Sequence, residues 1–430
     1  MLSAFANAFR TPDLRRKLLF VLMIITIFRL GSQIPAPGVN VANVQECIGS
    51  QTNSAYSLIN LFSGGALLQL TIFALGIMPY ITASIILQLL VVVIPRLEAL
   101  KKEGQAGQTK ITQYTRYLTL GLALLQATGI VALARSGNLL QNCSGSLLHS
   151  DSTSTFLVMV VTMTAGTAVI MWLGELITDR GIGNGMSLLI FTQVVSGFPG
   201  SLWAVGKSKG WWVFAVVILI GLVVIAAVIF IEQAQRRIPV QYARRMVGRK
   251  MFGGSSTYIP LKVNQAGVIP VIFASSLLYL PAMAAQFNRD SSSKWVVFIN
   301  DYLVKGSHPL YMLAFFLLIV FFTYFYVSIT FNPEEVADNM KKYGGFIPGI
   351  RAGKPTEDYL SYVLSRITLP GALYLGLIAL IPLIAFVFIN ANQNFPFGGT
   401  SILIMVGVAL DTVKQIESQL QQRNYEGFLR

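Results

Sequence analysis

Residues Leu61–Ile94 read LFSGGALLQLTIFALGIMPYITASIILQLLVVVI, a run without a single charged residue. A helix crosses a bilayer with only ~20 apolar residues, so this run is too long for one span and too short for two spans and a turn. Gly64 and Gly65 divide it, and so does Gly76-Ile77-Met78-Pro79, because glycine and proline break or kink helices. The pattern predicts an apolar half-helix at about 57–70, a break, and a full span at about 75–94.

This half-helix is too short to cross the membrane. Irregular backbone at membrane depth is tolerated only inside the protein or beside a cavity. The stretch therefore predicts a cavity within the membrane into which an apolar segment folds.

The composition predicts an all-α polytopic membrane protein. The 430 residues have a mean hydropathy of +0.63, with 54% hydrophobic and 12% charged residues, whereas a soluble domain has about 25% charged residues. The apolar runs are continuous and about 20 residues long, which excludes the short alternating strands of a β-barrel. The net charge of +14 must lie in the connecting segments, where it favours anionic lipid, RNA or an acidic protein as partners.

Ten apolar runs predict ten spans. They lie at about 18–37, 75–94, 117–134, 155–174, 186–206, 211–231, 265–287, 309–330, 367–389 and 399–417. Most of the Lys and Arg residues fall in the tails and in alternate connections, which places both termini in the cytoplasm. Five spans lie in residues 1–206 and five in 207–430. With an odd number of spans in each half, the second half enters the membrane from the side opposite to the first. If the two halves are structurally related, they are therefore inverted repeats.

Two cytoplasmic connections, 232–264 and 331–366, are unusually long. Both mix arginines with aromatic residues, glycines and prolines. Two interpretations stay open on composition: the loops are positive-inside anchors, or they form a projecting docking surface for an RNA-bearing or acidic partner.

The predicted spans hold almost no ionisable residues in their interiors, which argues against ion coupling. The sequence contains no nucleophile–His pair and no pair of carboxylates within one span, the arrangements that would indicate an enzyme. It also contains no Cys/His cluster that would indicate a metal or cofactor site. Cys47 and Cys143 fall on the predicted outer side, where a disulfide is an open alternative. Gly181–Gly185 (GIGNG) has no following Lys, so it predicts a turn and not a phosphate loop. The remaining classes are a passive pore, a secondary transporter with inverted repeats, and a structural scaffold.

Seven motifs carry a resemblance that runs the length of the chain: LFSGGAL (61–67), IFALGIMPYITASIILQLL (72–90), LGELITDRGIGNGMSLLIF (173–191), RRIPVQYARR (236–245), YIPLKVNQAGVIPVIFASSLL (258–278), FNPEEVADNMKKYGGFIPGIRAGKPTEDYL (331–360) and FGGTSILI (397–404). The chain resembles the SecY family of channel-forming subunits of the protein translocon. The resemblance implies an hourglass pore between two inverted five-helix halves, closed by a plug, with a lateral gate between the second and seventh spans.

The resemblance also implies site residues, here given by their place in this sequence. The plug is about 57–70, centred on Leu61, Phe62, Ser63, Gly64, Gly65, Ala66 and Leu67. The pore ring is Ile77, Ile81, Met186, Ile190, Ile272 and Ile404, where Met186 departs from the more usual isoleucine but stays apolar. Candidate contacts of the lateral gate are Thr82, Ser84, Gln88, Ser275 and Ser276. Arg244, Arg245 and Arg351 are the expected docking residues.

The function implied is passage of unfolded secretory polypeptides across the cytoplasmic membrane, with sideways release of transmembrane segments into lipid. The implied partners are the SecE and SecG subunits, the SecA motor ATPase, the ribosome at its exit tunnel, and anionic lipid. Because ATP chemistry belongs to SecA, no nucleotide site or other cofactor is expected in this chain.

Overall fold

The structure is a computed structural model. It describes residues 9, 11–44, 66, 67, 69–135, 147–149, 152–242, 245–247, 250–252, 256–287, 302, 308–389 and 399–427.

Twelve helices and five short strands are defined over these residues. The helices are α1 Pro12–Gly31, α2 Met78–Val93, α3 Pro95–Lys102, α4 Gln105–Arg135, α5 Thr153–Arg180, α6 Gly185–Lys209, α7 Trp211–Gln233, α8 Ile269–Phe287, α9 Pro309–Thr330, α10 Pro333–Lys342, α11 Lys354–Ile389 and α12 Gly399–Gly427. The strands are β1 Gln235–Tyr242, β2 Arg245–Val247, β3 Lys250–Phe252, β4 Ser256–Lys262 and β5 Gly345–Phe346.

Five of the described helices are long and apolar enough to span a membrane, and the bent pair α2 and α3 counts as a sixth. Two further apolar helices are shorter, Gly185–Pro199 and Ile269–Leu278. The chain is therefore a helical protein with several apolar candidate spans, and the count of ten stays a prediction.

The chain divides into two compact units. Unit 1 comprises Met1–Val217, Ala284–Val296 and Ala385–Arg430, and unit 2 comprises Ile218–Met283 and Val297–Ile384. In unit 1, α4 packs against α2 and α5, α5 also packs against α1 and α6, and α12 packs against α6. The inverted halves 1–206 and 207–430 stay a prediction.

The break before α2 has the local cause that the sequence indicates. Gly76 adopts a φ of +57°, a left-handed conformation that favours glycine. Pro79 stands in the first turn of α2, where its missing N–H removes no helical hydrogen bond. At the other end, Ile94 is extended and Pro95 starts α3, which is bent by 99° from α2.

Residues 181–184 form a tight turn between α5 and α6, where the sequence predicts a turn. The Oδ1 of Asn184 accepts hydrogen bonds from the backbone N–H groups of Met186 at 3.1 Å and Ser187 at 3.4 Å, and so caps α6. The Gly185 N–H donates to Thr178 Oγ1 on α5 at 2.9 Å. A Cβ on Gly185 would collide with the carbonyl oxygen of Gly174, so glycine permits the close approach of the two helices.

The two long connections of unit 2 share one small core that contains a sheet. β1 pairs antiparallel with β4 on one side and with β5 on the other. Side chains from both connections pack together, namely Ile238, Val240, Leu261, Met340, Ile347, Leu360 and Val363. The all-helical prediction omitted this sheet.

Candidate functional site

The end of the predicted plug is held by backbone hydrogen bonds near the start of α2. Ala66 and Leu67 are each 1% exposed. The Ala36 N–H donates to Leu70 O at 2.9 Å, and the Ile72 N–H donates to Ile34 O at 3.0 Å. The segment that precedes α2 is thus tied to the segment that follows α1. The predicted plug residues Leu61, Phe62, Ser63, Gly64 and Gly65 lie outside the described residues.

The six predicted ring residues differ in burial. Ile77 and Ile404 are each 1% exposed, Ile190 and Ile272 are each 7% exposed, and Ile81 and Met186 are half-buried.

Five of the six ring residues belong to unit 1. Met186 and Ile190 lie on α6, and Ile404 lies on α12, which packs against α6. Ile77 directly precedes α2, and Ile81 follows it one turn into that helix. The sulfur of Met186 lies against Gly174 of α5. The sixth residue, Ile272, lies on α8 in unit 2.

The start of α2 and α6 meet within unit 1. A Cβ built on Gly76 would lie 2.8 Å from Nε2 of Gln193, which is one turn after Ile190 on α6. Gln193 is 1% exposed, and neither atom of its amide has a hydrogen-bond partner among the described residues. No specific signal in the sequence indicates Gln193, because one polar residue in a span is ordinary until its neighbours are known.

The predicted gate residues on α2 bond within their own helix. Thr82 Oγ1 donates to Met78 O at 3.0 Å, and Gln88 Nε2 donates to Ser84 Oγ at 3.4 Å. Such local bonds satisfy polar groups in an apolar helix without joining it to a neighbour.

The predicted gate residues on α8 are half-buried. Ser275 Oγ donates to Ile272 O at 2.9 Å. The hydroxyl of Ser276 is buried and has no partner within the described part of the chain. Ser276 therefore retains hydrogen-bonding capacity at this position.

The predicted docking residues lie in the two long connections of unit 2. Arg351 is exposed, and its carbonyl accepts a hydrogen bond from Thr356 Oγ1 at 2.8 Å, next to the start of α11. Arg245 begins β2, opposite Phe252 of β3, and Arg244 lies outside the described residues. The structure thus places Arg351 on an exposed turn beside the shared core.

Arginine guanidinium groups lie over tyrosine rings in this part of unit 2. The guanidinium of Arg237 lies 4.8 Å from the ring centroid of Tyr258, and that of Arg366 lies 5.4 Å from Tyr362. Tyr343 is 79% exposed. An exposed surface of this kind presents both positive charge and stacking faces to a partner.

The short helix α3 carries charged residues that are exposed to solvent. Glu98 and Lys102 form an ion pair of 2.8 Å, one helical turn apart. The hydrogen bond from Lys102 lowers the pKa of the Glu98 carboxyl. An exposed pair of this kind adds little to stability.

No group of three or more His, Cys, Asp or Glu side chains that could hold a metal ion occurs within the described ranges. Cys47 and Cys143 lie outside them, so their pairing stays open.

These features define a polytopic helical membrane protein with a broken span. Its two long connections carry exposed basic and aromatic residues. A family model described as SecY matches residues 71–413. The chain belongs to the SecY family.

Full-length relatives agree with this family. The chain is 68% identical to the protein translocase subunit SecY of Streptomyces galbus and 62% identical to that of Mycobacterium tuberculosis, in each case over 100% of both chains. Both relatives are subunits of a protein translocase.

Solved structures show the same fold at low sequence identity. A protein-conducting channel matches with a TM-score of 0.65 and 19% identity, over 94% of this chain and 91% of the other. Sec61 in a canine ribosome–channel complex from the endoplasmic reticulum matches with a TM-score of 0.60 and 17% identity, over 94% and 91%. A SecY structure whose plug domain stabilises the closed channel has a TM-score of 0.64.

Proposed function

We propose that this chain is the channel-forming subunit of a protein translocase. It passes unfolded secretory polypeptides across the cytoplasmic membrane and releases transmembrane segments sideways into lipid. The observation that carries the proposal is 68% identity over the full length of a protein translocase subunit, joined to the fold of protein-conducting channels. A secondary transporter would need a coupling residue at the membrane midplane, and no observation favours one.

The proposed architecture has ten spans in two inverted halves, 1–206 and 207–430, with both termini in the cytoplasm. The excess of Lys and Arg in alternate connections supports this orientation. The break at Gly76 supports a half-helix before the second span, because it separates the end of the plug from α2.

The proposed seal is a ring of aliphatic side chains, helped by the plug at 57–70. Ile77, Ile190 and Ile404 are buried in unit 1, as a ring that excludes water requires. An apolar constriction of this kind closes by dewetting. It also widens around a passing chain without holding any sequence tightly, because its contacts are non-directional.

The proposed lateral gate lies between α2 and α8. Thr82, Ser84 and Gln88 on α2 and Ser275 and Ser276 on α8 are small or polar residues, and such residues permit close helix packing with weak hydrogen bonds of about 1 kcal/mol. Since Thr82, Gln88 and Ser275 bond within their own helices, separating the helices does not orphan these groups. That favours a gate that opens at low cost.

The proposed docking surface is formed by the exposed residues of the two long connections in unit 2, around their shared core. Arg351 is exposed there, and Arg244 and Arg245 stand between β1 and β3 in the sequence. Arginine suits both the SecA motor and ribosomal RNA, because its planar guanidinium pairs bidentately with carboxylate and phosphate. The further partners proposed are SecE, SecG and anionic lipid.

The test is ion conductance of the purified chain with its partner subunits in planar bilayers, together with translocation of a secretory polypeptide into vesicles. The parent is compared with a variant that lacks residues 60–69. We expect a parent that translocates but is electrically silent at rest, and a deletion variant that conducts. A parent that neither translocates nor conducts, with a deletion variant that is equally inert, would contradict the channel function.

A further inference from the structure

Gln193 carries a buried polar group that the proposed seal does not use. Its side chain is 1% exposed, and both Nε2 and Oε1 are without a hydrogen-bond partner among the described residues. Its backbone carbonyl accepts a bond from Ser196 Oγ at 2.7 Å. Buried amides are paired in the great majority of cases, so an unpaired one calls for an explanation.

The position of this amide relates it to the pore. Met186, Ile190 and Gln193 stand four and three residues apart on α6, so the three share one face of the helix. Across from that face, a Cβ on Gly76 would lie 2.8 Å from Gln193 Nε2. Gly76 directly precedes Ile77. The amide therefore lies where two segments that carry predicted ring residues meet.

Two features explain why the amide has no partner in the described part of the chain. Its neighbours along α6 are the fully buried, apolar Leu189 and Val194. Gly76 offers the amide no side chain, and its N–H already donates to Phe73 O at 2.9 Å. The packed arrangement of α6 and the start of α2 thus holds an amide in an apolar setting at a cost in free energy.

We propose that Gln193 is a gating residue that weakens the seal between α6 and the start of α2. When these segments separate, water or the backbone of a passing polypeptide reaches the amide and pairs with it. The free energy lost in the packed arrangement is recovered in the separated one. Gln193 therefore shifts the equilibrium toward opening. This inference rests on the proposed channel function and assigns a determinant of opening within it.

The experiment uses the chain with its partner subunits, in the background that lacks residues 60–69, so that the ring alone controls conductance. Gln193→Leu introduces an apolar side chain of similar size and removes the amide. Gln126→Leu is the matched control, because it makes the same change at a half-buried position on α4. Open probability in bilayers is measured together with the melting temperature in detergent.

We expect Gln193→Leu to lower the open probability by roughly five- to a hundredfold, the range that corresponds to an unpaired buried amide. The same variant should keep or raise the melting temperature, because it removes a buried polar group. Gln126→Leu should leave the open probability within about twofold, as distant single changes in a helix usually do. A purely structural role would lower the melting temperature and would not favour the closed channel.

A second pair of variants tests the contact itself. Gly76→Ala should raise the open probability in the same background that lacks residues 60–69, because the new Cβ displaces the amide. In the Gln193→Ala background the same change should have a smaller effect, since only the strain at a positive φ remains.

Equal open probabilities for Gln193→Leu and the control would overturn the gating role while leaving the channel function intact. If the parent never translocates and its variant without residues 60–69 never conducts, the gating role and the channel function are both rejected.

Discussion

Asn264 Nδ2 donates a hydrogen bond of 2.5 Å to Glu232 Oε1, and both side chains are buried. Asn264 Nδ2 also donates to Gly267 O at 3.2 Å. Beside this pair, the Val263 N–H donates to Ala234 O at 3.0 Å. Glu232 stands at the end of α7, and Asn264 stands between β4 and α8. The Asn264–Glu232 and Val263–Ala234 bonds therefore close the base of the connection that carries the sheet. The bond to Gly267 lies just before the start of α8.

Removing the amide at this base is expected to destabilise unit 2. Asn264→Ala removes the amide that donates to the buried Glu232 carboxylate, and a lost hydrogen bond to a charged group costs about 2 kcal/mol. The melting temperature in detergent should fall by several degrees. Asn339→Ala, at an exposed site on α10, is the control and should change it little. Equal melting temperatures for the two variants would show that the Asn264–Glu232 bond does not hold the base closed.

The close crossing of α5 and α6 gives a second prediction. Gly185→Ala places a Cβ against the carbonyl oxygen of Gly174, so the helices must separate and the fold should lose about 1–3 kcal/mol. Gly121→Ala is the matched control, because nothing lies within 4 Å of its built Cβ. Helix propensity makes that control more stable by about 1 kcal/mol. Thermal unfolding of both variants measures the difference, and a Gly185→Ala variant as stable as the control would contradict the close approach.

Local signals in the sequence were enough to predict part of this structure. The break before α2 and the turn between α5 and α6 were both predicted, because Gly76, Pro79 and Gly183 act through their own backbone conformations. The resemblance, carried by seven motifs, was confirmed by the family match over residues 71–413.

Features that depend on contacts across long separations were missed. β1 pairs with β4 and β5, and β5 lies about a hundred residues further along the chain. The alternation of buried Ile238 and Val240 with exposed neighbours is a strand pattern, but Pro239 between them weakens that signal. Gln193 was missed for a related reason: its unpaired state depends on the packing of α6 against the segment before α2.

The exposed Arg351 gives a prediction about docking. Arg351→Glu replaces a bidentate donor with a repelling carboxylate, so SecA-driven translocation into vesicles should fall by at least about tenfold. Arg15→Glu makes the same change of charge at an exposed site on α1 and should leave translocation largely intact. If both variants lose activity equally, the net positive charge of the protein matters and Arg351 has no particular role.

Neighbouring residues on α12 offer a sharp test of the predicted ring. Leu403 and Ile404 are 0% and 1% exposed, so an asparagine at either site meets the same penalty for burying a polar group. Only one of them is predicted to line the constriction. Ile404→Asn should make the resting channel conduct, because a polar group in an apolar constriction favours water there. Leu403→Asn should destabilise the fold to a similar degree and leave the channel silent. The measurement is steady-state conductance in planar bilayers, with melting temperatures to match the two variants for stability. If only Leu403→Asn conducts, the ring prediction is wrong and the constriction is lined by the other face of α12. If both variants conduct at similar levels, loosened packing opens the channel and Ile404 has no special position.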